Sequence, residues 1–233
     1  MTLGTAPKVS VLVCTYDRPE YLQRCLKSIR HQTFKNFEVV IIQGPPLGDG
    51  PNQTDVVIAE YKTRIKLGHV DTHNVAAARN ASLRLAAGDL IALIDDDAVA
   101  PGNWLQTFVE EYQQRDVSGL GGFGKSFDGK IVSRVVTCDR FTQALSHSSE
   151  EIANIDQRPG GAECYSLTGY NAFFDRRAVL DVGGFDEVFA YMFEETDLCF
   201  RLMERGYRLG FSPKTWIMHG LAPGVDRDAN LLP

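Results

Sequence analysis

Along this chain, short runs that are apolar at nearly every position alternate with longer stretches whose apolar residues recur at helical spacing. Residues 8–14 (KVSVLVC), 37–42 (FEVVII) and 90–94 (LIALI) are of the first kind and predict strands buried on both faces. Over residues 19–31, Leu22, Leu26 and Ile29 share one helical face, and Pro19 sits at a first helical position, where its missing N–H costs nothing. Residues 43–53, rich in Gly and Pro, predict a loop. A helix is expected over 55–66 and a short strand from His69 and Val70. The Ala-rich stretch 74–87 predicts a helix stopped by Gly88, and 101–114 predicts another. Buried strands alternating with helices imply an α/β domain whose mostly parallel central sheet is flanked by helices.

The second half changes character. Residues 117–123 and 131–137 predict strands around a Gly-rich loop. Residues 142–163 are polar and patternless, longer than most connections inside a domain, which suits a lid or a partner site. Apolar character resumes over 165–174, and Gly183-Gly184 breaks the chain. Residues 194–205 predict a helix with Leu198, Cys199, Leu202 and Met203 on one face, followed by short strands at 207–211 and 215–218. No repeat or linker divides the chain. The expectation is one domain over 1–233, with halves at 8–100 and 101–220 and a tail at 221–233, the second half carrying a mixed sheet.

Composition narrows the classes. The 233 residues are 44% hydrophobic and 23% charged, which suits a globular chain with a sizeable core. The net charge of -6 argues against a nucleic-acid-binding surface. Cys14, Cys25, Cys138, Cys164 and Cys199 are odd in number and form no CxxC pair, so a reducing cytosol is expected rather than a disulfide framework. No run approaches the ~18 apolar residues of a transmembrane segment. No secretory signal is visible at the N-terminus. The expected location is cytoplasmic, either free or peripheral at the membrane.

Candidate chemistry begins at Asp95-Asp96-Asp97, directly after LIALI. Ligands of open α/β sheets bind beyond the carboxyl ends of strands. Three adjacent carboxylates repel one another, and a divalent Mn²⁺ or Mg²⁺ relieves that repulsion while gripping phosphates. The bland alternative is a solvated acidic turn. His219, in WIMHG, is either an ordinary histidine or the imidazole that completes a carboxylate-rich metal site. Glu194-Glu195-Thr196-Asp197 opens the last long helix. Its acids suit the helix dipole, with Thr196 or a neighbour as cap; alternatively one carboxylate faces a cleft as general base.

Taken in order, the segments VSVLVCTYDRPEYLQRCLKSI, FEVVII, NVAAARNASLRLAAGDLIALIDDDAVAPGNWL, TGYNAFFDRRAVLDVGGFDE, EETDLCFRLMERGYRL and MHG resemble glycosyltransferase family 2, over about residues 8–220. The resemblance implies a GT-A, Rossmann-like fold and inverting transfer from a nucleotide-diphosphate sugar. It makes 8–100 the nucleotide-binding half and 101–220 the acceptor-side half. Thr15, Tyr16, Asp17 and Arg18 match the segment cradling base and ribose, and Arg79 matches a nucleotide contact. Asp95 and Asp97 match the family's Asp-x-Asp acids, with Asp96 between them. Asp95 would lie towards ribose and diphosphate, Asp97 would bind the metal, and His219 matches a further metal ligand.

The EETD segment matches the family's base motif. Glu195 stands at the base position, where Asp is usual, and Glu194 and Asp197 are the alternatives. Gly169, Tyr170 and Asn171 match the strand bordering sugar and acceptor. Where the family usually has Asp-Asp-Gly-Ser, this chain has Gln43-Gly44-Pro45-Pro46. An amide both donates and accepts, so GDP- and dTDP-sugars stand beside a UDP-sugar as donors. The acceptor is a saccharide, a lipid-linked saccharide or a small molecule. Two rivals remain. A sugar nucleotidyltransferase would release pyrophosphate from a nucleoside triphosphate, and a GT-A-like module without catalysis would bind donor but transfer nothing.

Overall fold

The computed structural model describes residues 8–46, 50–61, 65–127, 129, 136–138, 144–146 and 166–220. In chain order the elements of the first half are β1 (Val9–Thr15), α1 (Pro19–Arg30), β2 (Phe37–Gln43), α2 (Thr54–Glu60), β3 (Ile65–His69), α3 (Val75–Leu85), β4 (Leu90–Leu93) and β5 (Ala98–Val99). Then come α4 (Trp104–Gln114), β6 (Gly119–Lys125), β7 (Val136–Cys138), β8 (Ala144–Ser146), β9 (Ala172–Asp175), α5 (Arg176–Asp181), α6 (Glu194–Glu204) and β10 (Leu209–His219).

Eight strands form one sheet in the order β3-β2-β1-β4-β9-β6-β10-β5. Pairs β1–β2, β2–β3, β1–β4 and β6–β10 are parallel, whereas β9 runs antiparallel to both neighbours and β5 antiparallel to β10. Alternate residues of the buried strands serve two cores. Val9, Val11 and Val13 of β1 pack with Leu22 and Ile29 of α1 and with Trp104 and Phe108 of α4. Leu12, with Ile91 and Leu93 of β4, packs with Leu83 of α3 and Leu198 and Leu202 of α6. Each such large side chain contributes about 1.5–3 kcal/mol on burial, which explains why these strands read as unbroken apolar runs.

Several expectations need correction. The helix predicted over 55–66 ends at Glu60, and Ile65 already belongs to β3, because residues 65–69 pair with residues 39–43 of β2. The two short strands predicted at 207–211 and 215–218 are one strand, β10, with a register shift between Phe211 and Trp216. Gly88 is not the αL stop of α3. The helix ends at Leu85, and a Cβ at Gly88 would lie 2.6 Å from the Ser10 backbone nitrogen, so the glycine permits close approach to β1. Thr196 does not cap α6. Phe193 holds that position without a side-chain bond, while Thr196 Oγ1 lies 3.0 Å from Ser166 Oγ. Within the supposedly patternless 142–163, Ala144–Ser146 is a strand paired with Val136–Cys138. The rest of that segment, residues 131–135 and the tail 221–233 lie outside the described residues.

One carboxylate ties the edge of the sheet together. Glu38 of β2 accepts from Lys8 Nζ at 2.7 Å, Ser10 Oγ at 2.8 Å, the Ala87 N–H at 2.7 Å and Lys66 Nζ at 3.4 Å. Burial alone would raise its pKa, but these donors outweigh it and hold the carboxyl at about 2. The folded pKa is below the unfolded one, so this stabilisation is complete above about pH 4.5 and is lost as the pH falls towards 2. Glu38→Gln is therefore expected to lower the thermal midpoint at neutral pH and to flatten its decline in acid. An acid profile parallel to the wild type would count against that role. Among the described residues, no helix is long and apolar enough to cross a membrane.

Candidate active site

The carboxyl ends of β1 and β4 face the same edge of the sheet, and there the chain opens a cleft. Because β9 runs the opposite way, the turn before it arrives at that edge too, and the antiparallel β5–β10 pair brings the end of β10 alongside. His219 pairs with Ala98, and the Gly220 N–H donates to Asp97 O at 3.0 Å. Residues far apart in sequence thereby meet.

Asp95, Asp97 and His219 form a compact trio whose ligand atoms all lie within 4.8 Å of one another. His219 Nε2 is 3.2 Å from Asp97 Oδ1 and 3.4 Å from Asp95 Oδ2, yet it is buried without an aligned hydrogen bond to either. Burial opposes protonation of this imidazole, but the two carboxylates outweigh it and raise the pKa to about 9. Two carboxylate oxygens and one imidazole nitrogen, itself a buried atom without a hydrogen-bond partner, suit a divalent ion such as Mn²⁺ or Mg²⁺. The Asp97 side chain is 3% exposed and the Asp95 side chain 40%, so Asp95 presents the open face of the trio.

Asp96 turns inward. It is fully buried, accepts from Thr15 Oγ1 at 2.7 Å and from Arg18 Nε at 3.1 Å, and pairs with Arg18 Nη2. Burial raises its pKa to about 7 despite Arg18. This bond set ties the acidic turn to the end of β1. Arg18 also lines the cleft, whereas Thr15 and Asp96 do not.

Arg79, on α3, stands at the centre of the second cluster. Its Nη1 lies 2.5 Å from Glu194 Oε1 and 3.6 Å from Glu195 Oε2, and its Nη2 lies 3.9 Å from Asp95 Oδ1. The guanidinium fills the space a Cβ would need at Gly169, 2.1 Å from Nη2, so only glycine fits there. Glu194 is buried, and burial pushes its carboxyl upward against the pull of Arg79. The Glu195 side chain is more open; its Oε1 accepts from the Gly169 N–H at 3.2 Å, and its Oε2 is buried without a hydrogen-bond partner. Asp197 instead pairs with Arg201 at 2.7 Å and does not line the cleft.

Tyr16 lines the cleft, and Asp17 beside it takes a left-handed φ of 51°, uncommon outside glycine, with Oδ1 accepting from the Gln53 N–H at 2.7 Å. Gln43 is buried away from the cleft. Its Nε2 donates to Thr54 Oγ1 at 2.6 Å and Asp55 Oδ1 at 2.8 Å, and its Oε1 is buried without a partner. Tyr170 lines the cleft and stacks on His219. Asn171 lies beneath it, accepting from Trp104 Nε1 and donating to Phe123 O, each at 2.8 Å.

Among the cleft residues that sequence reasoning did not single out are His73, whose ring lies 5.5 Å from that of Tyr16, and Tyr191 and Met192. They sit in loops, where no periodicity marks them. A usable signal was three bulky apolar residues, Tyr191, Met192 and Phe193, placed directly before the acidic helix start and largely exposed. Met192 and Phe193 both have left-handed φ, at 68° and 70°.

Residues 10–182 match the profile of Glycosyl transferase family 2. A glucosyl-dolichyl phosphate glucuronosyltransferase of Haloferax volcanii is 27% identical, over 92% of this chain and 69% of its own length. A pre-mycofactocin glycosyltransferase of Mycobacterium tuberculosis is 26% identical, over 91% and 42%. An uncharacterized glycosyltransferase of Nostoc, alr2836, is 29% identical, over 75% and 52%. The chain thus spans about half the length of several curated relatives that it matches.

Among solved structures, the mannosyltransferase PcManGT of Pyrobaculum calidifontis, in complex with GDP-Man and Mn²⁺, superposes with a TM-score of 0.69 at 19% identity, covering 94% of this chain and 58% of that one. GalNAc-T7 with UDP, GalNAc and Mn²⁺ gives 0.76 at 14% identity, covering 92% and 43%. The fold is GT-A. With most of its length inside the family profile, this chain belongs to glycosyl transferase family 2.

Proposed function

We propose that the protein catalyses metal-dependent, inverting transfer of a sugar from a nucleotide-diphosphate sugar to an acceptor hydroxyl. One observation carries this reading. A carboxylate–imidazole trio and the Glu195 carboxylate share one cleft, with Arg79 between them. A divalent ion held by Asp95, Asp97 and His219 would neutralise the diphosphate as it leaves.

The chain's own groups do the rest. Tyr16 and Asp17 border the place of the nucleoside, and Arg18 keeps the acidic turn in position through Asp96. Glu195, held at Oε1 by the Gly169 N–H, would take the acceptor's proton as the acceptor oxygen attacks the anomeric carbon. Attack from the side opposite the departing diphosphate inverts the anomeric configuration and requires no covalent intermediate. Glu194 is committed to Arg79 and Asp197 to Arg201, which favours Glu195 as the base. Tyr191 and Met192 form an apolar rim past which a saccharide, lipid-linked saccharide or small-molecule acceptor enters. Among the described residues, Cys14, Cys25 and Cys199 are not in disulfides, which fits a reducing, cytoplasmic setting, in solution or at a membrane surface.

Calorimetry with UDP-, GDP- and dTDP-sugars, each with and without Mn²⁺, tests the reading. One nucleotide class is expected to bind, and to bind at least about tenfold more tightly with the metal. Equal affinity in both conditions would remove the metal from the mechanism, and no binding of any nucleotide sugar would remove the donor.

A further inference from the structure

His219 reaches the trio from the last residue of β10, where its backbone is pinned by the Ala98 pair and by the bond from the Gly220 N–H to Asp97 O. A pinned backbone does not set an imidazole, which still turns about two side-chain bonds. Histidines that ligate metals usually donate their other ring N–H to a carboxylate or carbonyl, and that bond fixes ring plane and tautomer. Among the described residues, no side chain or carbonyl takes such a bond from His219; its close polar neighbours are Asp95 and Asp97, both at Nε2.

What lies against the ring is Tyr170. The two ring centroids are 4.4 Å apart and the planes 19° from parallel. The position of Tyr170 is itself strongly determined. It sits in a turn closed by the Asn171 N–H to Thr168 O at 3.0 Å, and the Asn171 side chain ties that turn to Trp104 and Phe123. On the facing strand, residue 124 is glycine, and a Cβ there would come within 2.9 Å of the Tyr170 ring. The stack therefore has a rigid backing and a space kept open for it.

We propose that Tyr170 is a positioning residue: its ring face sets the imidazole plane of His219 so that Nε2 points between Asp95 and Asp97. This inference rests on the metal reading above and replaces a hydrogen bond with a stacked ring as the orienting contact. The same turn holds Glu195 through the Gly169 N–H, so one short segment sets the direction of both a metal ligand and the base.

Mn²⁺ affinity, measured without nucleotide from the electron paramagnetic resonance signal of free Mn²⁺, tests it in the wild type, Tyr170→Phe, Tyr170→Leu and Gly124→Ala. Tyr170→Phe, which keeps the ring, is expected to match the wild type. Tyr170→Leu, which keeps apolar bulk but removes the ring, is expected to weaken binding by about 10- to 100-fold, with a thermal midpoint close to that of Tyr170→Phe. Gly124→Ala displaces the ring without removing it and should weaken binding in the same direction. It carries the test if Tyr170→Leu does not fold. Wild-type affinity in Tyr170→Leu, or equal losses in the Phe and Leu variants, would overturn the proposal. Unchanged Mn²⁺ affinity with a raised KM for acceptor would instead make Tyr170 an acceptor contact. A wild type that does not bind Mn²⁺ would overturn the metal reading first, and this inference with it.

Discussion

Glu195→Gln is expected to lower the turnover number by a factor on the order of 10²–10⁴ while donor affinity stays near the wild-type value. The amide has the shape of the carboxylate and can still accept the Gly169 N–H through its oxygen, so the local geometry survives. It cannot take up a proton from the acceptor. The other two acids at the start of α6 are held by other partners. Glu194 is only 4% exposed and sits 2.5 Å from Arg79, and Asp197 points to Arg201 on the next turn of α6. Steady-state kinetics with saturating donor, beside calorimetric donor affinity, gives the answer. Near-normal turnover would place the base elsewhere. An equal loss in donor affinity would mean that the carboxylate helps to hold the donor.

Asp97→Ala is expected to abolish measurable Mn²⁺ binding and to reduce turnover by roughly 10³-fold or more, since metal stabilisation of a leaving diphosphate amounts to several kcal/mol. Asp97 is the buried carboxylate of the trio, and its oxygen is the nearer of the two to His219 Nε2. Removing it leaves a half-exposed Asp95 and one imidazole, too few anchors for an ion that takes about six ligands. The backbone of residue 97 still accepts the Gly220 N–H, so β5 and β10 should keep their register and the protein its thermal midpoint. Mn²⁺ affinity equal to the wild type would end the metal assignment.

Much of this was legible in the sequence because the informative residues are buried on both sides. Strands β1, β2 and β4 are apolar at most positions, since each face packs against its own layer of helices. Elements with less to bury were misplaced or lost. The edge strand β3, expected to begin at His69, is only partly buried and ends there, and β5 has two residues. The six-residue helix α5 follows β9 without a gap; its one signal was Asp175, whose side chain accepts from the Arg177 N–H at 2.8 Å. In the site, Asp95 and Asp97 were readable from their place after an apolar strand. Their meeting with His219 was expected only through the family resemblance, because it depends on β10 pairing antiparallel with β5, a contact no local pattern encodes. Gln43 shows what the motif comparison left open: it stands where the family usually has an acid, and its two bonds to α2 turn its amide into the interior.

Strand β10 also divides into a tolerant and an intolerant part. Between Phe211 and Trp216 its pairing with β6 already slips, so a residue gained or lost there can be absorbed as a wider or narrower bulge. Downstream, Met218 and His219 are locked opposite Val99 and Ala98, and side chains alternate faces at every step. One extra residue after Trp216 would carry the imidazole to the far side of the sheet. Natural length variation in this protein, and any loop grafting by protein engineers, should therefore collect around Pro213 and spare the four positions that end at His219.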